Sequence, residues 1–233
     1  RDAKRAWTSS IRLGASALLI GAPRVSITGP AQAQEETRRQ PAKLAASEGL
    51  VDSTTQAPFS VVASFTVDGT QEVWSFQVPY LLSILAYNDP NAKVLGMNDI
   101  RADFRRQGFT ADDGTRNALQ EAYQVHVDNA NLNPIPNVWV SYYSFRLMIG
   151  LGMLGAGIGA LLLISIRGDN VPAPTKAWDI CFTALPFLPL FGNSFGWILT
   201  EMGRQPWIVY GVLPTYSANS PSVSSGQVLF TMV

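Results

Sequence analysis

The sequence is poor in cysteine, histidine and charge, and each shortage excludes a class of function. Its 233 residues include 17 basic and 17 acidic side chains, and the net charge of zero argues against a nucleic-acid partner. The single cysteine, Cys181, excludes a disulfide framework and a cysteine metal site and is expected to be a small buried residue. The single histidine, His126, lies in a polar stretch and is interpreted as a surface residue. No phosphate loop, catalytic triad or zinc-ligand spacing is present in the sequence.

The missing charge is concentrated in two apolar runs. Leu147–Ile166 has 20 residues and Ile180–Thr200 has 21, all of them uncharged. Each run is long enough to cross a hydrocarbon core of about 30 Å. We therefore predict transmembrane helices over residues 140–167 and 178–202.

Two weaker apolar segments lie at the ends of the chain. A weak transmembrane helix is predicted over residues 1–23, although Arg12 interrupts its apolar run, and another begins within residues 224–233. Both ends look cut, so the sequence is interpreted as a fragment. The predicted fold class is an all-α transmembrane helical bundle, part of a larger bundle, with a mixed extracytoplasmic loop.

Basic residues near the span ends predict the orientation, because cytoplasmic flanks are rich in lysine and arginine. They precede the first span and flank the link 168–177 between the strong spans, which is predicted to be cytoplasmic: Arg1, Lys4, Arg5, Arg167 and Lys176. The long segment 24–139 and the loop 203–223 are then extracytoplasmic.

The segment 24–139 is predicted to mix helices and strands. Alternating or β-branched residues favour strands over Phe59–Val67 and Val73–Val78. Helices are predicted over Glu35–Leu50, over Asp99–Phe109 and over Asp113–Asn129, the last two with their aspartates as N-caps.

Met148 stands at the start of the first strong span and is a candidate thioether ligand of a haem iron. Gly152 and Gly155 lie one and two turns further on and offer a flat surface for a planar macrocycle. The alternative is that Gly155 and Gly159 serve helix packing and that Met148 only fills a gap. Arg146 is expected to reach the membrane interface or to pair with an acid such as a haem propionate.

A second candidate site ends the other strong span. Trp197 and Glu201 are four residues apart and share one helix face. A carboxylate beside an indole suits a haem or metal ligand or a proton-relay acid, and Arg204 is placed to neutralise Glu201 or a propionate. The alternative is an interfacial tryptophan of the aromatic belt with a solvated glutamate beyond it. For Gly203–Trp207 the alternative is an ordinary interfacial turn in which Arg204 reaches the membrane interface.

A third candidate site lies in the outer segment. Lys43 and Glu48 are five residues apart, too far around a helix for good pairing with each other. Both charges are therefore expected to be available to a ligand such as a quinol, which needs a hydrogen-bond donor and a proton acceptor. The alternative is a solvated helix face.

Taken in order, these segments resemble subunit I of the cytochrome bd quinol oxidases. Gly203–Trp207 (GRQPW), preceded by Gly196, Trp197 and Glu201, is similar to the signature of that family. Phe145–Met148 resembles its second motif, and Gln40–Glu48 resembles the start of its quinol-binding loop, here in the short form.

The resemblance implies haem roles for residues of the two spans. Met148 matches an axial ligand of the low-spin haem b iron, and Arg146 matches the arginine that stabilises this haem. Glu201 matches the ligand of the high-spin haem b iron, and Trp197 matches a tryptophan between these haems on the electron path. A third haem, of d or b type, would complete the subunit. The histidine ligands of the family match no residue of this chain.

The resemblance also implies that Lys43 and Glu48 form the quinol site. Arg204 and Gln205 would have a supporting role in the signature, and Arg204 would be one of the haem-binding residues. The implied function is a terminal oxidase of the bacterial plasma membrane that oxidises quinol and reduces O2 to water. Its implied partners are a second membrane subunit, the N-terminal half of subunit I, and lipid. The alternative function is a membrane scaffold or binding remnant of the family, without complete haem sites.

Overall fold

The computed structural model describes residues 31–107, 127, 131–166, 175–218 and 223–232, together with scattered positions before residue 30. The helices, apart from helical residues 31–39, are α1 (Pro41–Glu48), α2 (Leu81–Tyr87), α3 (Met97–Gln107), α4 (Val138–Ser165), α5 (Lys176–Ala184), α6 (Phe187–Met202) and α7 (Ser225–Met232). The strands are β1 (Thr54–Thr55), β2 (Phe59–Phe65), β3 (Glu72–Val78), β4 (Lys93–Val94), β5 (Trp207–Val209) and β6 (Leu213–Pro214), and Thr215–Ser217 form a turn of 3-10 helix. His126 and the predicted helix 113–129, apart from residue 127, lie outside the described residues.

Among the described residues, two helical segments are long and apolar enough to cross a membrane by length and composition. They are Val138–Ser165, with mean hydropathy 2.3, and Lys176–Met202, with mean hydropathy 1.3. The second consists of α5 and α6, which are separated by a turn at Leu185 and Pro186. Pro186 has no backbone N–H to continue a helix. Both strong spans predicted from the sequence thus coincide with candidate spans.

Small residues line the contact between α4 and α6. A Cβ on Gly155 would lie 3.8 Å from Leu188 Cβ, and a Cβ on Gly192 would lie 3.7 Å from Leu151 Cβ. Such close approach is typical of helices that pack through small residues in membranes. The packing role considered for Gly155 and Gly159 therefore fits the structure, in which both glycines are buried.

Arg12 contacts the far end of α4. Its Nη2 donates to the backbone oxygen of Ile166, the C-cap residue of α4, over 3.0 Å. A cation there satisfies an unpaired carbonyl and complements the negative end of the helix dipole. The charge that interrupts the weak first span therefore has a partner, and the described positions of that span are helical.

The outer segment contains both predicted strands, and they form a hairpin. β2 and β3 pair antiparallel, with Phe59 opposite Val78 and Ala63 opposite Ser75. The pairs β1–β4 and β5–β6 add two more short antiparallel sheets. The all-α class was therefore too narrow, because it describes the spans and not the loops between them.

The helices of the outer segment differ in detail from their predictions. The helix predicted over Glu35–Leu50 is interrupted at Gln40, because a residue before proline avoids the helical region, and Gln40 has φ −138° and ψ 59°. α1 then ends at Gly49, whose φ of +70° suits glycine. Asp99 lies in the first turn of α3 and not at its N-cap, and α2 was not predicted.

The first turns of α4 belong to the core of the outer segment. Tyr142 is fully buried with residues of α1, β2 and α3, and its hydroxyl lies 2.8 Å from Ser60 Oγ. Tyr143 donates to the Ala63 carbonyl over 2.8 Å, and Trp139 Nε1 donates to the Thr66 carbonyl over 3.0 Å. α4 therefore begins well before its uncharged run and carries the loop on its outer end.

Candidate functional site

A buried ion pair joins the outer loop to α4. Arg146 Nη2 lies 2.7 Å from Glu48 Oε2, and the two side chains are only 12% and 4% exposed. Glu48 is the last residue of α1, and Arg146 is the last charged residue before the uncharged run of α4. The acid expected to pair with Arg146 is thus supplied, in this structure, by the loop.

Aromatic rings surround the guanidinium of Arg146. Its Cζ lies 4.3 Å from the ring centre of Phe59, 4.7 Å from that of Tyr142 and 5.1 Å from that of Phe145. Cations at these distances are attracted to the ring faces. Nε also donates to the Ser60 carbonyl over 2.7 Å, so Arg146 is held in one position.

Burial raises the pKa of Glu48 above its ordinary value. Desolvation is the largest effect, because removing a carboxylate from water penalises the charged form. Arg146 opposes the rise by its charge and its hydrogen bond, and Glu36 adds to it slightly. Glu48 is thus a carboxyl group with increased affinity for a proton, beside a fixed cation.

Lys43, the other predicted member of the quinol site, is paired with Glu36. Lys43 Nζ lies 2.9 Å from Glu36 Oε1. The expectation that Lys43 and Glu48 are both unpaired was therefore wrong. They do not pair with each other, as their spacing predicts, but each has another partner. The partner of Lys43 lies seven residues earlier, on the other side of the break at Gln40.

Met148 lies between α4 and α6. Its Sδ would be 2.9 Å from a Cβ on Gly196, so the thioether rests directly on the backbone of α6. Gly152, by contrast, has no neighbour within 4 Å of an added Cβ. Met148 is half-buried, and a glycine opposite it leaves its sulfur free of side-chain crowding from that position.

Trp197 and Glu201 lie on the exposed surface of α6. Trp197 is 71% exposed, and the Glu201 side chain is 49% exposed and pairs with Arg204. Glu201 is five residues beyond Gly196, which turns it by about 140° on an ideal helix. The two candidate iron ligands, Met148 and Glu201, therefore belong to different faces of this helix pair.

Two arginine nitrogens provide a test of whether the site fits haem. Within the described part of the chain, Arg146 Nη1 and Arg204 Nε are buried donors without an acceptor. Buried donors normally have partners. A haem carries two propionate carboxylates, which are acceptors of the required kind. These donors, close in sequence to Met148 and Glu201, therefore suit that group chemically.

No role was predicted from the sequence for Trp207 and Phe104, two aromatic residues that contact each other. Trp207, the last residue of the signature, is fully buried, and its ring contacts that of Phe104 of α3 edge to face at 5.9 Å. From the sequence, Gly203–Trp207 is predicted to be an interfacial turn or to contact haem. The available signal was that the motif contains a tryptophan for which no haem role was proposed.

The chain belongs to the cytochrome bd terminal oxidase subunit I family, because the model of that family matches residues 1–233. This confirms the family inferred from the three motifs.

Known relatives agree with this assignment. The chain is 32% identical over 213 residues to "Cytochrome bd ubiquinol oxidase subunit 1" of Bacillus subtilis, covering 90% of this chain and 40% of the relative. It is 28% identical over 243 residues to "Cytochrome bd-II ubiquinol oxidase subunit 1" of Escherichia coli, covering 88% and 46%. The bd oxidase structure from Geobacillus thermodenitrificans matches with TM-score 0.66 and 26% identity, over 95% of this chain and 44% of that one. The chain thus spans less than half the length of these relatives.

Proposed function

We propose that this chain forms the C-terminal part of subunit I in a cytochrome bd-type terminal oxidase that oxidises quinol and reduces O2 to water. The observation that carries the proposal is the buried pair of Glu48 and Arg146, 2.7 Å apart. It joins the segment that resembles the quinol loop to the helix that bears Met148, two residues from Arg146. The names of the relatives, which are ubiquinol oxidase subunits, support the same activity.

Lys43 and Glu48 are proposed to form the quinol site. Oxidation of a quinol to a quinone releases two protons and two electrons. Glu48 would accept a proton, since burial raises its pKa and a base works best with a pKa near the working pH. Lys43 would donate a hydrogen bond to the quinol oxygen after exchanging its contact with Glu36.

Met148, Glu201, Arg146 and Arg204 are proposed to hold haem. Met148 would ligate the low-spin haem b iron, and Glu201 would ligate the high-spin haem b iron. The buried donors Arg146 Nη1 and Arg204 Nε would bind propionates. When bound, these haems supply one-electron carriers between the quinol and oxygen, and a third haem of d or b type would complete the subunit. Trp197 would lie on the electron path.

The proposed location is the bacterial plasma membrane. Residues 24–139 would be extracytoplasmic and the link 168–177 cytoplasmic, because Arg167 and Lys176 flank that link. The partners would be a second membrane subunit, the N-terminal half of subunit I, and lipid.

Reduced-minus-oxidised visible spectra of the complete oxidase test this proposal. We expect Met148→Ala to abolish or shift the low-spin haem b band, because the iron loses a ligand. Met153→Ala is the matched control, since Met153 lies on the same helix and is exposed. If the complex assembles and both variants give the unmodified spectrum, the ligand assignment is wrong. If no haem is present at all, the scaffold alternative replaces the oxidase.

A further inference from the structure

The signature pentapeptide Gly203–Trp207 lies directly beneath helix α1 of the outer loop. The aliphatic part of Lys43 crosses Gly203, where an added Cβ would lie 3.1 Å from Lys43 Cγ and 3.2 Å from Lys43 Cε. At these distances the stem of Lys43 would have to give way by a few tenths of an ångström if position 203 carried a side chain. The orientation of Lys43 therefore depends on a glycine far away in the sequence.

The other end of the pentapeptide supports helix α3. Trp207 is fully buried, with its ring edge to face with Phe104 of α3 and 6.1 Å from the ring of Tyr210. Tyr210 packs against the buried cluster formed by α1, β2, α3 and the first turns of α4. Aromatic contacts of this kind contribute beyond the apolar area that they bury.

Hydrogen bonds fix the turn between these two contacts. Thr215 donates its backbone N–H to the Pro206 carbonyl over 2.8 Å and its hydroxyl to Gln205 Oε1, also over 2.8 Å. The pairing of β5 with β6 closes the loop behind Trp207. The pentapeptide Gly203–Trp207 thus forms one surface held by hydrogen bonds and strand pairing, which we name the signature platform.

We infer that Gly203 and Trp207 are positioning residues: the signature platform seats α1 and α3, and so sets the position of Lys43 for quinol. The last step rests on the proposed function, since it requires that Lys43 contacts quinol. The seating of the helices does not depend on that function.

The backbone at Gly203 makes the position sensitive to a single methyl group. A Cβ there would lie 2.5 Å from the Leu199 carbonyl oxygen, which accepts the Gly203 N–H over 2.8 Å. Neither the carbonyl nor the stem of Lys43 is free to move without losing a contact. Gly203→Ala therefore displaces the end of α6 from α1.

Hydrogen exchange of the complete oxidase tests the seating. We expect Gly203→Ala and Trp207→Leu to raise amide exchange in α1 and α3 by about ten-fold, while Trp207→Phe, which keeps a ring against Phe104, has a smaller effect. Gly157→Ala and Trp74→Leu are matched controls, because Gly157 has open space around it and Trp74 is exposed. If exchange in Gly203→Ala and Trp207→Phe equals that of the controls, the platform is refuted.

Steady-state kinetics test the link to Lys43. For Gly203→Ala we expect the KM for a soluble short-chain quinol to rise about ten-fold, because misplacement of a binding group by about 1 Å has effects of this size or larger. The rate with a one-electron donor that bypasses the quinol site should fall less than the quinol-driven rate, because the displaced end of α6 also carries Glu201. Raised exchange with an unchanged quinol KM would overturn the link to Lys43. If the unmodified oxidase does not oxidise quinol, the proposed function fails, while the exchange data still decide the seating.

Discussion

Two of the glutamate–arginine pairs in the described part of the chain share a chemistry and differ in their surroundings. Glu48 and Arg146 come from segments far apart in sequence and are 4% and 12% exposed. Glu201 and Arg204 are three residues apart and are 49% and 38% exposed. A buried pair is costly to break because it leaves an unpaired charge away from water, whereas an exposed pair is screened by solvent. Loss of one partner should therefore cost more stability in the first pair than in the second, whose carboxylate is accessible to a ligand.

Breaking the buried pair should have the largest effect. Arg146→Met leaves the Glu48 carboxylate buried without its cation and removes the contacts with three aromatic rings. We expect a loss of about 3–5 kcal/mol in stability. The loss would be seen as a lower apparent Tm of the purified complex at a fixed scan rate. A Tm equal to that of the unmodified complex would mean that the pair does not support the fold.

The pH dependence of stability should sharpen the same comparison. Because the pKa of Glu48 is raised in the folded chain, the folded state holds a proton that the unfolded state has already released. The contribution of this group is therefore fully present below the ordinary glutamate pKa of 4.5 and is lost as pH rises from there through the raised value. Glu48→Gln should reduce this loss when Tm is measured across that range. An unchanged slope in the variant would assign the dependence to other groups.

Breaking the exposed pair should have the smallest effect on stability. Arg204→Met removes a partner of Glu201 that is more than one third exposed. We expect a change of about 1 kcal/mol or less, and hence a Tm close to that of the unmodified complex. Haem content should nevertheless fall, because Arg204 Nε is a proposed propionate donor. A large drop in Tm for the haem-free chain would show that the two pairs are equivalent, contrary to our account.

A contrast between local and tertiary signals explains which features could be predicted from the sequence. Uncharged runs identify spans because the bilayer excludes charge along about 20 consecutive residues, and the two strong spans were found in this way. The strands β2 and β3 were found because both are rich in β-branched and aromatic residues. Both signals are local and need no knowledge of the tertiary fold.

The partners of individual charges were not predictable from local signals. Glu48 and Arg146 meet only after α1, β2 and α4 have packed around Tyr142. For the same reason α4 begins at Val138, since its first turns are stabilised by the outer loop and not by lipid. The roles of Gly203 and Trp207 as a support for α1 and α3 also depend on tertiary contacts, although the signature itself identified the family.

The central claim is that one buried pair couples the segment proposed to bind quinol to the helix proposed to ligate haem. A double-mutant cycle over Glu48 and Arg146 tests it most directly. Glu48→Gln, Arg146→Met and the double variant would be compared in apparent Tm and in the low-spin haem b spectrum of the complete oxidase. We predict that the double variant is more stable than Arg146→Met alone, because no unpaired charge remains buried, and that both single variants shift the haem band. Additive effects on Tm, with no spectral change in Glu48→Gln, would contradict the coupling.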